Sequence, residues 1–83
     1  MDKNSSITKN QENIDLIAIG AAIRLRRETL GLSQEELGSL ASFHRTYIGS
    51  VERAERNITI LGLIKITEAL QLEPHELLER AGL

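Results

Sequence analysis

The sequence predicts an all-α fold, a compact single domain of five helices. Apolar residues recur at three- and four-residue spacing through most of the chain, which is the pattern of amphipathic helices. Ser, Thr and Pro stand directly before or at the expected helix starts. Ile58, Thr59 and Ile60 alternate in the manner of a β-strand, but three residues are too few to indicate one.

The first helix is predicted from about Ile14 to Leu30, with Gly31 as its C-terminal cap. Its apolar residues are Leu16, Ile17, Ile19, Ala22, Ile23 and Leu30, with Arg24, Arg26 and Arg27 between them. Leu25 also falls in this run. The pattern therefore leaves open whether Leu25 or the aliphatic stem of Arg26 covers the core.

The residues before this helix, 1–13, are polar, and we expect them to form a disordered tail. Lys3 and Lys9 could contact phosphates, but Asp2 and Glu12 offset their charge, which favours a solvated tail. The segment lacks the apolar core of a signal peptide, and no apolar stretch reaches transmembrane length. We therefore expect a cytoplasmic protein that does not associate with membranes.

A second helix is predicted to start at Gln34. Ser33 and Glu36 have the spacing of a capping box, in which each side chain binds the other residue's backbone amide. Gly38 costs a helix ~1 kcal/mol relative to Ala, so we expect close packing there, such as another helix crossing. The predicted buried stripe of this helix is Leu37, Leu40 and Ala41.

The helical pattern breaks at residues 42–44 and then resumes in a third helix. Ile48 and Val51 line one side of it, Phe43 leads into it, and Tyr47 lies at its margin. Its other face carries Arg45, Thr46, Gly49 and Ser50. Two helices joined by such a short turn cross steeply, which predicts a helix-turn-helix unit over residues 34–53. One side of the third helix would be buried while the other is free to enter a DNA groove.

Two further helices complete the predicted domain. The fourth runs from the cap Thr59 through Leu70, and the fifth starts at Pro74 and ends before Gly82. The apolar residues of the fourth helix are Ile60, Leu61, Leu63, Ile64, Ile66, Ala69 and Leu70.

The last two helices offer more apolar residues than one small core readily absorbs. We therefore predict a two-fold dimer interface in this half of the chain. Its candidates are Ile60, Leu61, Ile64, Leu72, Leu77 and Leu78, ringed by the acidic residues Glu68, Glu73, Glu76 and Glu79. The alternative is that all of these apolar residues are core, and the pattern does not say which of them face a partner.

Composition excludes several classes of protein. The 83 residues make one small domain, and the absence of cysteine excludes disulfides and thiolate metal sites. His44 and His75 lie far apart without partners at ligand spacing, so no metal site is expected. No nucleophile–base arrangement, phosphate-binding glycine loop or paired-carboxylate site emerges. We expect no enzyme, no cofactor and no small-molecule ligand.

The net charge of −2 is not typical of a protein that binds nucleic acid nonspecifically. The charge is distributed unevenly, however. Six of the ten basic residues are arginines of the first three predicted helices and the loop after them, whereas Glu68, Glu73, Glu76 and Glu79 lie in or beside the last two helices. Glu35, Glu36, Glu52 and Glu55 dilute the basic region. This asymmetry indicates a few placed contacts, doubled by dimerisation, rather than a broad electrostatic attraction.

Residues 20–78 resemble the phage-repressor class of helix-turn-helix domains, the XRE family. The matching segments are GAAIRLRRETLGLSQEEL, ASFHRTYIGSVER and ITILGLIKITEALQLEPHELL. Within that class, RTYI followed by ER and RNIT most resembles the controller proteins of restriction–modification systems. Similar strings occur in other small regulators and in antitoxins.

The resemblance implies a phage-repressor-like fold and a sequence-specific transcriptional regulator, such as a repressor, that binds double-stranded DNA as a homodimer on a near-palindromic operator. The alternative is an antitoxin or another protein-interaction module. Because an antitoxin needs additional surface and only residues 1–13 lie outside the core, the regulator is favoured.

The chain departs from the family pattern at four positions. Ser42 stands where the family has a turn glycine, and His44 where it has a capping Ser, Thr or Asp. Ala54 and Ile58 stand where Gly and Pro often follow the recognition helix. Because of these departures, the resemblance does not determine the backbone path of the turn or of the loop after the recognition helix.

The candidate DNA contacts lie on and around the third helix. Base readers are predicted to be Arg45, Thr46 and Ser50, because Arg binds guanine bidentately and the Thr methyl meets thymine. Phosphate contacts are predicted for Ser33, Gln34, His44, Tyr47, Arg53, Arg56 and Asn57, with Gln34 assigned through the resemblance. Tyr47 is equally a half-buried core candidate, and Gly49 either gives the DNA room or is merely tolerated. Glu52 is expected to pair with an arginine of the first helix, with Arg27 the candidate.

Overall fold

The computed structural model describes the backbone of residues 2–83 and the side chains of residues 13–83. Five helices follow one another in this part of the chain, and no strand occurs among these residues. They are α1 (Asp2–Thr29), α2 (Gln34–Ala41), α3 (Arg45–Glu52), α4 (Ile60–Ala69) and α5 (Pro74–Arg80). The predicted all-α, five-helix fold is confirmed. Within the described residues, none of the helices has the length and apolar character needed to cross a bilayer.

Helix α1 begins at Asp2, well before the predicted start near Ile14. Residues 2–13 contain neither proline nor glycine, so nothing in their backbone chemistry ends the helix at the predicted position. The side chains of residues 1–12 lie outside the described part. The polar tail predicted for residues 1–13, with its Lys3 and Lys9, therefore stays a prediction.

The ambiguity in α1 between Leu25 and Arg26 is resolved in favour of Arg26. Leu25 is 67% exposed, whereas Arg26 is half-buried and its Nε donates to the carbonyl oxygen of Leu70 at 3.0 Å. The half-buried Arg26 therefore satisfies a carbonyl at the end of α4, which a leucine could not do.

The predicted helix starts are confirmed where local capping chemistry fixes them. The Glu36 amide donates to Ser33 Oγ at 2.9 Å, and the Ser33 amide donates to Glu36 Oε1 at 2.8 Å. At α4, the Gly62 amide donates to Thr59 Oγ1 at 3.0 Å. Pro74 is the first residue of α5, where its missing N–H leaves no hydrogen bond unmade.

The turn between α2 and α3 explains why a glycine occupies position 38. Ser42 adopts the left-handed conformation with φ 63°, and the Phe43 amide donates to the Gly38 carbonyl at 2.8 Å. A Cβ at residue 38 would lie 2.4 Å from the Phe43 carbonyl oxygen. The expected close packing is present, but the neighbour is the backbone of the turn rather than another helix.

One core joins all five helices. Its fully buried side chains include Ile23, Leu37, Ile48, Ile66, Leu70 and Leu77. The predicted burial of Leu40 is wrong, since this side chain is 61% exposed. Only Leu37, Gly38 and Ala41 of α2 face the core, and Leu40 lies outside that narrow stripe.

The apolar residues proposed for dimerisation separate into two groups. Leu72 and Leu77 are buried in the core, at 9% and 0% exposure, which removes them from the candidates. Ile60, Leu61 and Ile64 of α4 are 72%, 71% and 43% exposed. Leu78 is half-buried and packs against the core. The candidates that remain are Leu78 and the three exposed residues of α4. We call Ile60, Leu61 and Ile64 the α4 apolar patch.

Candidate nucleic-acid interface

Helix α3 presents one face to the core and the opposite face to solvent. Ile48 and Val51 are 0% and 3% exposed. Gly20 of α1 lies so close beneath the end of α3 that a Cβ there would be 2.6 Å from the Val51 carbonyl oxygen. Arg45 and Thr46 at the start of α3 are exposed. Tight packing on one side thus fixes which side chains the other side displays.

A buried ion pair holds the C-terminal end of α3. Arg27 donates to both Glu52 carboxylate oxygens, from Nε at 2.6 Å and from Nη2 at 3.0 Å. The two side chains are only 10% and 3% exposed. Hydrogen bonding to Glu52 raises the pKa of Arg27, while Arg27 Nη1 donates to the Leu32 carbonyl at 2.8 Å. The predicted pairing of Glu52 with Arg27 is confirmed.

Gln34 joins the same network from the first residue of α2. Its Nε2 donates to Glu52 Oε1 at 3.0 Å, so the Glu52 carboxylate accepts hydrogen bonds from side chains of both α1 and α2. This bond fixes the orientation of the Gln34 amide. A residue predicted to contact phosphate is therefore also part of the link that orients α3.

His44 caps α3 in place of the expected Ser, Thr or Asp. Its Nδ1 accepts from the Thr46 amide at 3.0 Å. Because Nδ1 is the acceptor, the neutral imidazole of this arrangement carries its hydrogen on Nε2. The exposed His44 side chain thus caps α3 through Nδ1 and presents its Nε2–H at the start of the helix.

A shallow depression of about 280 Å³ lies on the exposed side of α3 and is lined by Gln34, Arg45, Thr46, Gly49 and Arg53. We call it the Gly49 depression. It brings together two predicted base readers and two predicted phosphate contacts. A Cβ at residue 49 would lie 2.9 Å from Arg53 Nη1 and 3.3 Å from Gln34 Oε1. Gly49 therefore gives room to these two side chains of the protein itself, a role that sequence reasoning did not find.

Ser50 does not line this depression. It is half-buried, and its Oγ donates to the Tyr47 carbonyl at 2.7 Å. Its hydroxyl proton is therefore already used within the helix, and only its oxygen lone pairs are available to accept from a base.

Tyr47 is held at the margin of the core, away from the Gly49 depression. Its ring stacks on Phe43 with centroids 4.4 Å apart, and the Arg56 guanidinium carbon lies 5.3 Å from the ring centroid. A Cβ at Gly62 would lie 3.2 Å from the Tyr47 hydroxyl, which places that hydroxyl beside the first turn of α4. Tyr47 and Arg56 therefore form a second cluster of predicted phosphate contacts.

Ser33 and Asn57 follow or precede members of these clusters along the chain, Ser33 beside Gln34 and Asn57 beside Arg56, but neither lines the Gly49 depression. The Ser33 hydroxyl accepts the Glu36 amide as the cap of α2. Asn57 is exposed and borders a largely apolar depression of about 240 Å³ between α1 and α4. Of the predicted phosphate contacts, Gln34 and Arg53 are the two that line the Gly49 depression.

Arg53 has a partner that the sequence analysis missed. Its Nε and Nη2 donate to Glu55 Oε2 and Oε1 at 3.1 and 3.2 Å. The hydrogen bonds from Arg53 lower the pKa of the Glu55 carboxyl. Ala54 lies between them at φ 63°, in the left-handed region, and this turn sets the two side chains next to each other. Only knowledge of that turn would have revealed the pair.

Known proteins share this architecture. A helix-turn-helix family model matches residues 23–77. The chain is 49% identical over 61 residues to the control protein C.SmaI of Serratia marcescens, which covers 74% of this chain and 73% of that protein. It is 36% identical over 67 residues to the control protein C.BamHI of Bacillus amyloliquefaciens, covering 81% and 83%.

Solved structures agree with the sequence relatives. The restriction–modification controller protein C.AhdI from Aeromonas hydrophila superimposes with a TM-score of 0.74 at 43% identity, covering 76% of this chain and 96% of that one. The DNA-binding domain of the P22 c2 repressor superimposes with a TM-score of 0.70 at 33% identity, covering 72% and 79%. The chain belongs to the helix-turn-helix family, in the XRE class of DNA-binding transcription regulators.

Proposed function

We propose that this protein is the controller of a restriction–modification system, a cytoplasmic regulator that binds a near-palindromic operator as a homodimer. The observation that carries the proposal is the Gly49 depression, where exposed side chains of α3 meet Gln34 from α2. The named controllers that it resembles over most of their length support the biological setting.

Base reading falls to the exposed start of α3. Arg45 can donate two hydrogen bonds to a guanine edge, and the Thr46 methyl can contact thymine. Ser50 contributes only as an acceptor, because its proton is bonded within α3. In the helix-turn-helix docking geometry, these N-terminal residues of the recognition helix enter the major groove.

The predicted phosphate contacts lie around the base-reading residues of α3. Gln34 and Arg53 border the Gly49 depression, and His44 offers its Nε2–H at the start of α3. Tyr47 and Arg56 would reach the backbone from the α4 side. Ser33 and Asn57 lie at the periphery of this surface. Such contacts fix position on the duplex and carry no sequence information.

Dimerisation uses the α4 apolar patch. One recognition helix makes too few contacts for tight specific binding, whereas two helices spaced ~34 Å apart read one face of the duplex. A two-fold axis at this patch places Ile60, Leu61 and Ile64 against their own copies. Glu68 and Glu73 border the same region beside Ile64, where their charge stays away from DNA.

A binding selection from random duplex DNA tests the proposal. We expect an enriched site with two inverted half-sites, since a symmetric dimer selects a symmetric sequence. Sedimentation equilibrium without DNA should show a dimer at tens of micromolar protein, because an interface with a micromolar Kd is mostly formed at that concentration. Failure to enrich any sequence would refute the regulator, and a persistent monomer would refute the preformed dimer. Leu61→Lys should yield a folded monomer and serves as the monomeric reference in the sedimentation experiment.

A further inference from the structure

Arg53, a predicted phosphate contact, is already bound to a carboxylate in the free protein. Its Nε and Nη2 meet the two Glu55 oxygens at 3.1 and 3.2 Å. These parallel hydrogen bonds have the bidentate geometry with which a guanidinium also binds a phosphate. The Glu55 carboxylate therefore occupies the donors that a DNA phosphate would use.

The backbone maintains this pair. The Arg53 amide donates to the Gly49 carbonyl at 3.0 Å, and the Glu55 amide donates to the Ser50 carbonyl at 2.8 Å. Ala54 between them adopts φ 63°. Both residues are thus anchored to the last turn of α3, and their side chains leave the turn next to each other.

The pair lies at the edge of the Gly49 depression and is open to solvent. Both side chains are 58% exposed, and Arg53 Nη1 lies over Gly49, at 2.9 Å from the position of a Cβ there. An incoming phosphate can therefore reach the guanidinium without disturbing the core. Water and salt screen an exposed pair strongly, so a well-placed phosphate can replace the carboxylate.

We propose that Glu55 is a specificity-determining residue, whose carboxylate holds Arg53 until a correctly placed phosphate displaces it. This inference rests on the proposed function as a DNA-binding regulator. On its operator, the base contacts of α3 fix the protein's register and bring a phosphate to Arg53. On random DNA the register is not fixed, and Arg53 stays neutralised by Glu55. The pair therefore weakens nonspecific binding more than specific binding.

The test compares Glu55→Gln with the parent protein by fluorescence anisotropy, using a labelled duplex of random sequence and the operator obtained by selection. We expect nonspecific affinity to rise about two- to fivefold, in the range typical of exposed ion pairs, with a smaller rise on the operator. The salt dependence of nonspecific binding should steepen by about one unit of slope, because one further phosphate is neutralised.

Three further variants complete the test: Arg53→Gln, the Arg53→Gln/Glu55→Gln double variant and Glu28→Gln. In an Arg53→Gln background, Glu55→Gln should no longer raise nonspecific affinity, since there is no guanidinium to release. Glu28→Gln is the matched control, because it removes one negative charge and an exposed Arg24–Glu28 pair of 3.2 Å on α1. We expect it to leave DNA binding unchanged.

Three results would overturn the inference. An equal gain from Glu55→Gln in the Arg53→Gln background would show general repulsion of DNA by the carboxylate. An unchanged ratio of specific to nonspecific affinity would show that Glu55 does not act on specificity. A parent protein that binds neither duplex would instead refute the proposed function, and the inference with it.

Discussion

Substituting Glu52 by Gln should strongly destabilise the domain. Glu52 accepts two hydrogen bonds from Arg27 and one from Gln34, and its side chain is only 3% exposed. Removing one member of a buried ion pair typically costs about 3–5 kcal/mol, because the other charge remains buried without compensation. Arg27 keeps its bond to the Leu32 carbonyl, so the low end of that range, about 3 kcal/mol, applies. For a domain of this size, the expected fall in Tm is about 12–24 °C.

Thermal unfolding followed by circular dichroism measures this effect. Glu55→Gln is the matched control, because it removes another Arg–Glu pair only three positions along the chain, at 58% exposure for both side chains. Solvent screens that pair, and its loss should leave Tm nearly unchanged. Equal changes in Tm for the two variants would refute the reasoning that burial distinguishes the pairs.

Further predictions concern the backbone around α3. Gly38→Ala should cost about 1–3 kcal/mol, because its Cβ would lie 2.4 Å from a backbone carbonyl oxygen. Gly49→Ala should cost less stability than Gly38→Ala, since its Cβ meets the movable end of Arg53 and approaches Gln34 Oε1 only to 3.3 Å, yet it should weaken DNA binding by displacing the Arg53 side chain. Equal losses of Tm in these two variants would contradict this distinction. Ala54→Gly should stabilise the domain by about 0.5–1 kcal/mol through relief of the left-handed φ of 63°. A lower Tm would show that no strain is stored there.

Much of the fold follows from local chemistry that the sequence displays directly. The capping residues Ser33 and Thr59, together with Pro74, predict helix starts that the structure confirms within the described residues. These local signals succeed because each depends on a few neighbouring atoms. The pairing of Glu52 with Arg27 spans 25 positions of the chain, and it was predicted because a carboxylate was expected to pair with an arginine of the first helix rather than contact acidic DNA.

Features that depend on the path of the chain were not predictable in the same way. Leu40 has the correct spacing for a buried stripe, but the core covers only a narrow side of α2. The left-handed turn at Ala54 decides that Arg53 meets Glu55, and alanine gives no sequence signal for such a turn. His44 is an unusual cap, and its Nδ1 bond becomes evident only from the geometry. The exposure of Leu40 depends on tertiary packing, whereas the turn at Ala54 and the His44 cap depend on local backbone geometry that residue propensity does not encode.

The specificity ratio of Arg45→Ala tests directly whether the exposed start of α3 reads DNA bases. Arg45 is exposed and borders the Gly49 depression, so its removal should leave the fold intact. Affinities for the selected operator and for random duplex DNA should be measured at one salt concentration. We expect a loss of about 1–3 kcal/mol per half-site on the operator and a much smaller loss on random DNA. A variant that binds its operator as tightly as the parent does would show that Arg45 is not a base reader.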